Sequence, residues 1–382
     1  MEKFFCLIGS LLCCVVVCVR SENSTLELVH VLFRHGDRNP DTISLWESNP
    51  YYNESFYKGG YGQLTNEGKR TEYKLGTLLR ARYDEFLGSE WDINIMDVRT
   101  TDYNRTKMSA LLVMAGLWPP TAENAWLPSF AWQPIPYNYV VTKNDKELST
   151  YNACSKLDEE IDKVQEEEEI AKYLQERYNR TYQVLQENTG ITITPFQAFA
   201  LYLGLLVQEQ LNFPLEDWTQ EIYPEPLHSA AVDYYYLEAN NTALRRIVAG
   251  YFLKLVFAET ESKINGTLNP PDRKMYLYSA HENNIATLLI SLEAFQITDI
   301  PPYGSYVLME VHQIEGVYGF KLFYQDYEQD DPIAIKLPNC DYFCPYDEFY
   351  QQVEYMLPES DADCNAVDEA YTIRMLGRDI AF

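Results

Sequence analysis

The stretch LVHVLFRHGDRNP, Leu28–Pro40, decides how the chain is read. The run that contains its first half, TLELVHVLF, is almost continuously apolar and rich in β-formers. Such a run predicts a strand buried on both faces, the signature of a parallel sheet. Its second half sets Arg34, His35 and Arg38 within five residues of one another, in a turn holding Gly36 and Pro40. A chain with 57 acidic and 30 basic residues and a net charge of −27 has no general reason to gather cations here. In open α/β sheets, however, ligands bind beyond the carboxyl ends of the strands.

Two further strand ends carry similar residues. WDINIMDVR ends in Arg99, and KMYLYSA runs into His281-Glu282. If the three ends converge, they form a pocket with three arginines and two histidines, next to helix starts that offer N–H groups and a positive dipole end. Arginine's planar fork suits phosphate oxygens, so the implied ligand is a phosphate or another compact oxyanion. His30, inside the first strand, reads as structural. His228 and His312 have no chemical context and read as surface residues.

Helical patterns lie between these strands. GQLTNEGKRTEYKLGTLLRARYDEFLG predicts a helix from about Glu67 to Phe86, capped by Thr65 and stopped by Gly88. DYNRTKMSALLVMAGL predicts a second, ended by Pro119 and Pro120. Residues 133–226 show little strand signal. There SKLDEEIDKVQEEEEIAKYLQERYNRTYQVLQEN reads as one long charged helix closed by Gly190, and TPFQAFALYLGLLVQEQLNF as another, with Thr194 as N-cap. The alternating pattern then resumes, with late strands at YVLMEVHQI and FKLFYQ. The expected architecture is α/β: a mainly parallel sheet flanked by helices (22–132 and 227–382), interrupted by a helical cap insertion (133–226).

Composition bounds the setting. The charge argues against nucleic acid and anionic membrane surfaces as partners. FFCLIGSLLCCVVVCV after Lys3 reads as a signal peptide within residues 1–21, cleaved near Ser21, and no later run is long and apolar enough to span a bilayer. Removing the leader takes Cys6, Cys13, Cys14 and Cys18 with it. Cys154, Cys340, Cys344 and Cys364 remain, enough for two disulfides in three alternative pairings. Glycosylation sequons at Asn23, Asn53, Asn104, Asn179, Asn240 and Asn265 fit a secreted glycoprotein; of these, Asn23, Asn53, Asn179, Asn240 and Asn265 are the expected sites.

The motifs together resemble a known family. RHGDRNP matches the R-H-G-x-R-x-P signature of the histidine acid phosphatases. VRTTDYNRTKMSALLVMAGLWPP and YLYSAHENNIATLL resemble that family's second and third conserved segments, and GQLTNEGKRTEYKLG, WQPIP and PPYGSYVLMEV resemble others. The resemblance runs from about Leu26 to Cys364 and is strongest to the secreted insect branch that includes venom acid phosphatases. It implies a phosphoglycerate-mutase-like histidine phosphatase fold and hydrolysis of small phosphomonoesters without metal or cofactor. His35 would be the nucleophile and form a phosphohistidine. Arg34, Arg38, Arg99 and His281 would hold the phosphoryl oxygens. Glu282 would act as general acid and then base. The spacing Cys340-x-x-x-Cys344 can close a tight loop, leaving Cys154 for Cys364, and the matching cysteines of the family support this pairing.

This chain also departs from its relatives. Most vertebrate members carry Asp where Glu282 stands. Asn138 replaces a histidine of their dimer contact, which argues against a homodimer. Other readings are weaker. HENNI lacks the second histidine of the H-E-x-x-H zinc motif. A phytase-like or phospholipid-phosphate activity would be decided by the cap, whose sequence does not name a substrate. A secreted small-ligand-binding protein, weak or inactive in catalysis on the same fold, should show decayed motifs, whereas all six site residues are present.

Overall fold

The computed structural model describes residues 25–364; the leader at 1–21 and the sequon at Asn23 lie outside them. One eight-stranded sheet organises the molecule. Its strands are β1 (Leu26–Arg34), β2 (Met96–Thr100), β3 (Asn138–Tyr139), β4 (Met275–Ala280), β5 (Tyr306–Ile314), β6 (Val317–Gln325), β7 (Ile333–Ile335) and β8 (Cys344–Pro345). Their order is β3-β2-β4-β1-β5-β6-β7, with β8 also on β6. β3, β2, β4 and β1 run parallel, whereas β5 is antiparallel to β1 and to β6. The turn between β5 and β6 accounts for the second arrangement. Glu315 and Gly316 both take positive φ, 51° and 85°, the geometry a two-residue hairpin needs to match strand twist.

Two cores flank the sheet, and β1 feeds both. Val29, Val31 and Phe33 pack with Leu75 and Leu79 of the helix Asn66–Leu87 and with Val113 of the helix Asn104–Leu117. Leu28 and Leu32 join the opposite cluster with Leu253, Val256 and Leu289. Successive strand side chains point to opposite faces, so a strand covered on both sides must be apolar throughout. His30 is the exception: its Nε2 bonds to Thr260 Oγ1 at 3.1 Å, and its Nδ1 lies 3.2 Å from Glu259 Oε2.

The helix Asn66–Leu87 begins where the sequence places it. The Thr65 hydroxyl accepts from Gly68 N at 3.1 Å, and Gly88 ends the helix at φ 81°. Its first turn presses on the signature loop. A Cβ on Gly36 would stand 2.4 Å from the carbonyl oxygen of Gly68, and one on Gly68 would stand 2.1 Å from that of Asp37. The glycine of the signature is therefore required by a backbone-to-backbone approach.

The interval 133–226 carries the helices Thr150–Ala153, Lys156–Glu166, Glu168–Thr189 and Pro195–Gln210, together with the short edge strand β3. The helical layer continues into Leu227–Glu238. The long charged helix is in fact two, because Glu167 takes an extended conformation (φ −60°, ψ 130°). The break turns the middle of the glutamate run into a new N-terminus. Glu168 and Glu169 then lie in a first turn, where the helix dipole favours negative charge. Among the described residues no helix is long and apolar enough to cross a membrane.

Among the described residues two disulfides are present, Cys154–Cys364 and Cys340–Cys344. The first spans 210 residues and ties the end of the helix Thr150–Ala153 to the C-terminal segment. By chain-entropy arguments, replacing both of its cysteines by serine should cost about 5 kcal/mol. The measurement is the denaturant midpoint of the double variant under non-reducing conditions, and an unchanged midpoint would contradict the expectation.

Candidate active site

The parallel registers bring the strand ends together. β1 pairs with β4 up to Arg34 opposite Ala280, and β4 pairs with β2 up to Ser279 opposite Thr100. The next residues, His35, His281 and Thr101, therefore emerge side by side. The backbone N–H of His35 donates to Ala280 O at 3.1 Å, and that of Thr101 to Ser279 O at 3.1 Å. The signature loop is also held from the helix Asn104–Leu117, since Gly36 N donates to Ser109 Oγ at 3.2 Å.

His35 is fully buried. Its Nδ1 lies 2.9 Å from the carbonyl oxygen of Gly36. A carbonyl only accepts, so Nδ1 carries the proton and Nε2 bears the free lone pair. Nε2 is buried and has no hydrogen-bond partner among the described residues. Burial, and then the positive charges of Arg105 and Arg34, hold the imidazole well below its ordinary pKa. The ring thus stays neutral and nucleophilic into acid.

His281 stands edge-on to His35, with ring centroids 5.4 Å apart. Its Nε2 lies 3.0 Å from Thr101 Oγ1. The Thr101 hydroxyl donates onward to Thr106 Oγ1 at 2.9 Å, so the imidazole supplies the proton of the first bond. Burial and Arg105 also depress the pKa of His281. The backbone N–H of His281 donates to Asn284 Oδ1 at 3.1 Å, capping the helix Glu282–Ser291. Glu282 opens that helix and lies 3.2 Å from Arg34 Nε. Burial pushes its carboxyl pKa up, but Arg34 and Arg38, followed by the helix backbone, outweigh burial and leave it lowered.

Arg34 is pinned by three contacts. Its Nη1 donates to Pro301 O at 2.6 Å, its Nε faces Glu282, and its guanidinium lies 4.0 Å from the ring centroid of Tyr303. Arg38 donates to Asn39 O at 2.9 Å and pairs with Asp41 at 3.0 Å. Arg34 Nη2 and Arg38 Nε are buried without hydrogen-bond partners among the described residues.

Arg99 is not with them. Its guanidinium pairs with Asp145 at 2.5 Å and Glu147 at 2.7 Å, so its charge is already matched by two carboxylates. The guanidinium that acts most strongly on both histidines is Arg105, the second residue of the helix Asn104–Leu117. It lies 4.6 Å from the Tyr103 ring centroid and 3.5 Å from Asp41. Asp41 thereby bridges Arg38 and Arg105, and those two charges hold its carboxyl down against the upward push of burial. The structure thus corrects the placement of Arg99 and adds Arg105 and Asp41. The segment VRTTDYNRTK held both arginines. A strand end favours the first, but one helical turn beyond the strand brings the second back over the site. His228 and His312, expected at the surface, both have partners as well. His228 bridges Glu225 and Asp299, each at 2.9 Å, and His312 lies 3.1 Å from Glu310 and 2.9 Å from Thr25.

A cleft of about 370 Å³ opens onto this cluster, lined by Arg105, His281 and Glu282 and, from the interval 133–226, by residues such as Phe196 and Tyr151. The arrangement provides an unpartnered imidazole nitrogen, three convergent guanidinium groups and an adjacent carboxyl. It suits a tetrahedral oxyanion attacked from one side and protonated on the other.

Comparison with known proteins agrees. Residues 25–325 match the model of the histidine phosphatase superfamily (branch 2). A venom acid phosphatase of Apis mellifera is 33% identical over 362 residues, covering 93% of this chain and 92% of that protein. Prostatic acid phosphatase of Rattus norvegicus is 29% identical over 340 residues, covering 87% of each. Among solved structures, the phytase of Klebsiella sp. ASR1 superposes with a TM-score of 0.66 at 15% identity, covering 90% of this chain and 98% of that one. Hafnia alvei phytase in complex with myo-inositol hexakis sulphate gives a TM-score of 0.66 at 16% identity, covering 89% and 98%. With the signature loop, the sheet and the family match in agreement, the chain belongs to branch 2 of the histidine phosphatase superfamily.

Proposed function

We propose that the protein is a secreted acid phosphatase that hydrolyses phosphate monoesters through a phosphohistidine. The observation that carries this reading is the buried Nε2 of His35, left with a free lone pair by the Nδ1 contact to Gly36 and surrounded by the charges of Arg34, Arg38 and Arg105. Nε2 attacks phosphorus, and the N–P bond forms as the ester P–O bond breaks. Glu282 gives its proton to the departing alcohol oxygen. The carboxylate then takes a proton from water, whose oxygen cleaves the N–P bond and releases inorganic phosphate. The guanidinium groups of Arg34, Arg38 and Arg105 fix the phosphoryl oxygens in line and neutralise their charge, with the neutral ring of His281 packed beside them. Hydrolysis of a panel of phosphomonoesters by the purified protein across pH tests the reading directly, and no turnover of any of them would refute it.

The arginines give a sharper test. Arg105→Ala should lower kcat/KM by about 10²–10³-fold, the scale for removing one preorganised donor. Arg99→Ala should change it by much less, because Arg99 serves Asp145 and Glu147. Steady-state kinetics on one substrate decides the matter, and the reverse ranking would restore Arg99 to the site. Secretion is supported by the leader pattern, and the side chains of Asn53, Asn179, Asn240 and Asn265 are exposed, as glycan acceptors must be.

A further inference from the structure

Arg99 stands outside the phosphate cluster, yet a chain of hydrogen bonds runs from it to the helix that carries Glu282. Its Nη2 donates to Asp145 Oδ1 at 2.5 Å and to Glu147 Oε2 at 2.7 Å. Asp145 is fully buried, and the same Oδ1 also accepts from the backbone N–H of Leu148 at 3.1 Å. The carbonyl oxygen of Asp145 accepts from Ser149 N at 2.9 Å. The carboxylate thus closes the turn at 145–149, as aspartate side chains do by bonding to nearby backbone. The guanidinium supplies the charge that lets a carboxylate be buried there. Leu148 passes the contact on: its carbonyl oxygen accepts from Asn284 Nδ2 at 3.2 Å. Asn284 is buried, and it is the third residue of the helix Glu282–Ser291. Its Oδ1 accepts from the backbone N–H of His281 at 3.1 Å. A carbonyl only accepts and a backbone N–H only donates, so the orientation of this amide is fixed by its two partners. Glu282 sits inside the loop that the bond between His281 and Asn284 closes, and Leu148 and Glu282 both line the cleft.

We infer that Arg99 and Asn284 are positioning residues for the proton transfer made by Glu282. Arg99 holds the turn at 145–149 through Asp145, the turn holds the Asn284 amide, and the amide sets the direction in which the first turn of the helix presents the Glu282 carboxyl. This deepens the phosphatase reading and rests on it. Arg99 and Asn284 act through other groups, so their loss should leave the arginine cluster able to bind phosphate. The loss should be felt where protonation of the leaving group counts, since general-acid catalysis matters most for poor leaving groups. Small displacements of a catalytic group carry large costs in rate.

The test compares ethyl phosphate, whose alkoxide needs a proton, with nitrophenyl phosphate, whose leaving group needs little. Asn284→Ala removes both bonds of the amide, and its kcat/KM should fall about tenfold further on ethyl phosphate than on nitrophenyl phosphate. Both rates are measured on one sample, so any unfolded fraction cancels from their ratio. The inhibition constant of inorganic phosphate should stay within about twofold of the wild type, because Arg34, Arg38 and Arg105 are untouched. Arg99→Ala should show the same bias at about threefold, being further from the carboxyl. The double variant should show no more bias than Asn284→Ala alone, because the two residues belong to one line of contacts and their effects do not add. Where an alanine variant does not fold, the near-isosteric Asn284→Leu and the polar Arg99→Gln take its place in the cycle. Equal loss on both esters, a weakened inhibition by inorganic phosphate, or a double-variant bias equal to the product of the single ones would overturn the inference. Hydrolysis of neither ester by the wild type would instead refute the phosphatase reading.

Discussion

His35→Ala is expected to lower kcat/KM on every phosphomonoester by at least about 10⁴-fold, the scale on which loss of a covalent nucleophile is felt. Three features of the site make this residue hard to replace. Its Nδ1 is occupied by Gly36 O, which leaves Nε2 as the reactive atom. Its backbone is fixed at the end of β1 by Ala280 O. Its depressed pKa keeps the lone pair available in acid. His281 cannot take over, since its Nε2 is held by Thr101. Rapid quenching of the wild type during turnover should trap a phosphoprotein that is stable in base and labile in acid, and the alanine variant should yield none. Retained turnover in the variant would refute the phosphohistidine mechanism. A protein that only binds its ligand would show neither the label nor the loss.

Much of this could be read in the chain because its strongest signals are local. β1 is legible since a strand covered on both faces has no room for polar side chains, and Arg34, His35 and Arg38 stand out directly after it. The helix Asn66–Leu87 is legible from Thr65 and Gly88, whose capping roles depend on neighbours within a few residues. What was misread depends on distant partners. Arg99 looks free at its strand end, but the carboxylates that claim it come from Asp145 and Glu147, 46 and 48 residues further on. His228 looks isolated, yet its second partner, Asp299, is 71 residues away. The break at Glu167 is hidden for another reason. A run of four glutamates is compatible with an uninterrupted solvated helix, and only the backbone angles of one residue decide otherwise.

Glu282→Gln should separate substrates by the quality of their leaving group. Alkyl phosphates expel a strongly basic alkoxide and need the proton, so they should lose about 10²–10⁴-fold in kcat, the usual contribution of general acid–base catalysis. Nitrophenyl phosphate leaves readily and should lose far less. The pH profile follows from the charges around the carboxyl. In the free enzyme Arg34 and Arg38 lower its pKa despite burial. The protonated form is the active acid, so activity falls as pH rises through this pKa. A bound phosphate dianion neutralises those arginines and raises the carboxyl pKa. Since kcat/KM reports the free enzyme and kcat the complex, the decline toward neutrality should occur at higher pH in kcat than in kcat/KM. The glutamine variant, which has no proton to lose there, should lack this limb on alkyl phosphates. Equal slowing on both substrates with an unmoved profile would make Glu282 a positioning residue for Arg34. Asp37, the other acid in the signature loop, is poorly placed to replace it. Its Oδ2 accepts from Thr71 Oγ1 at 2.8 Å, which commits the carboxyl to the helix Asn66–Leu87.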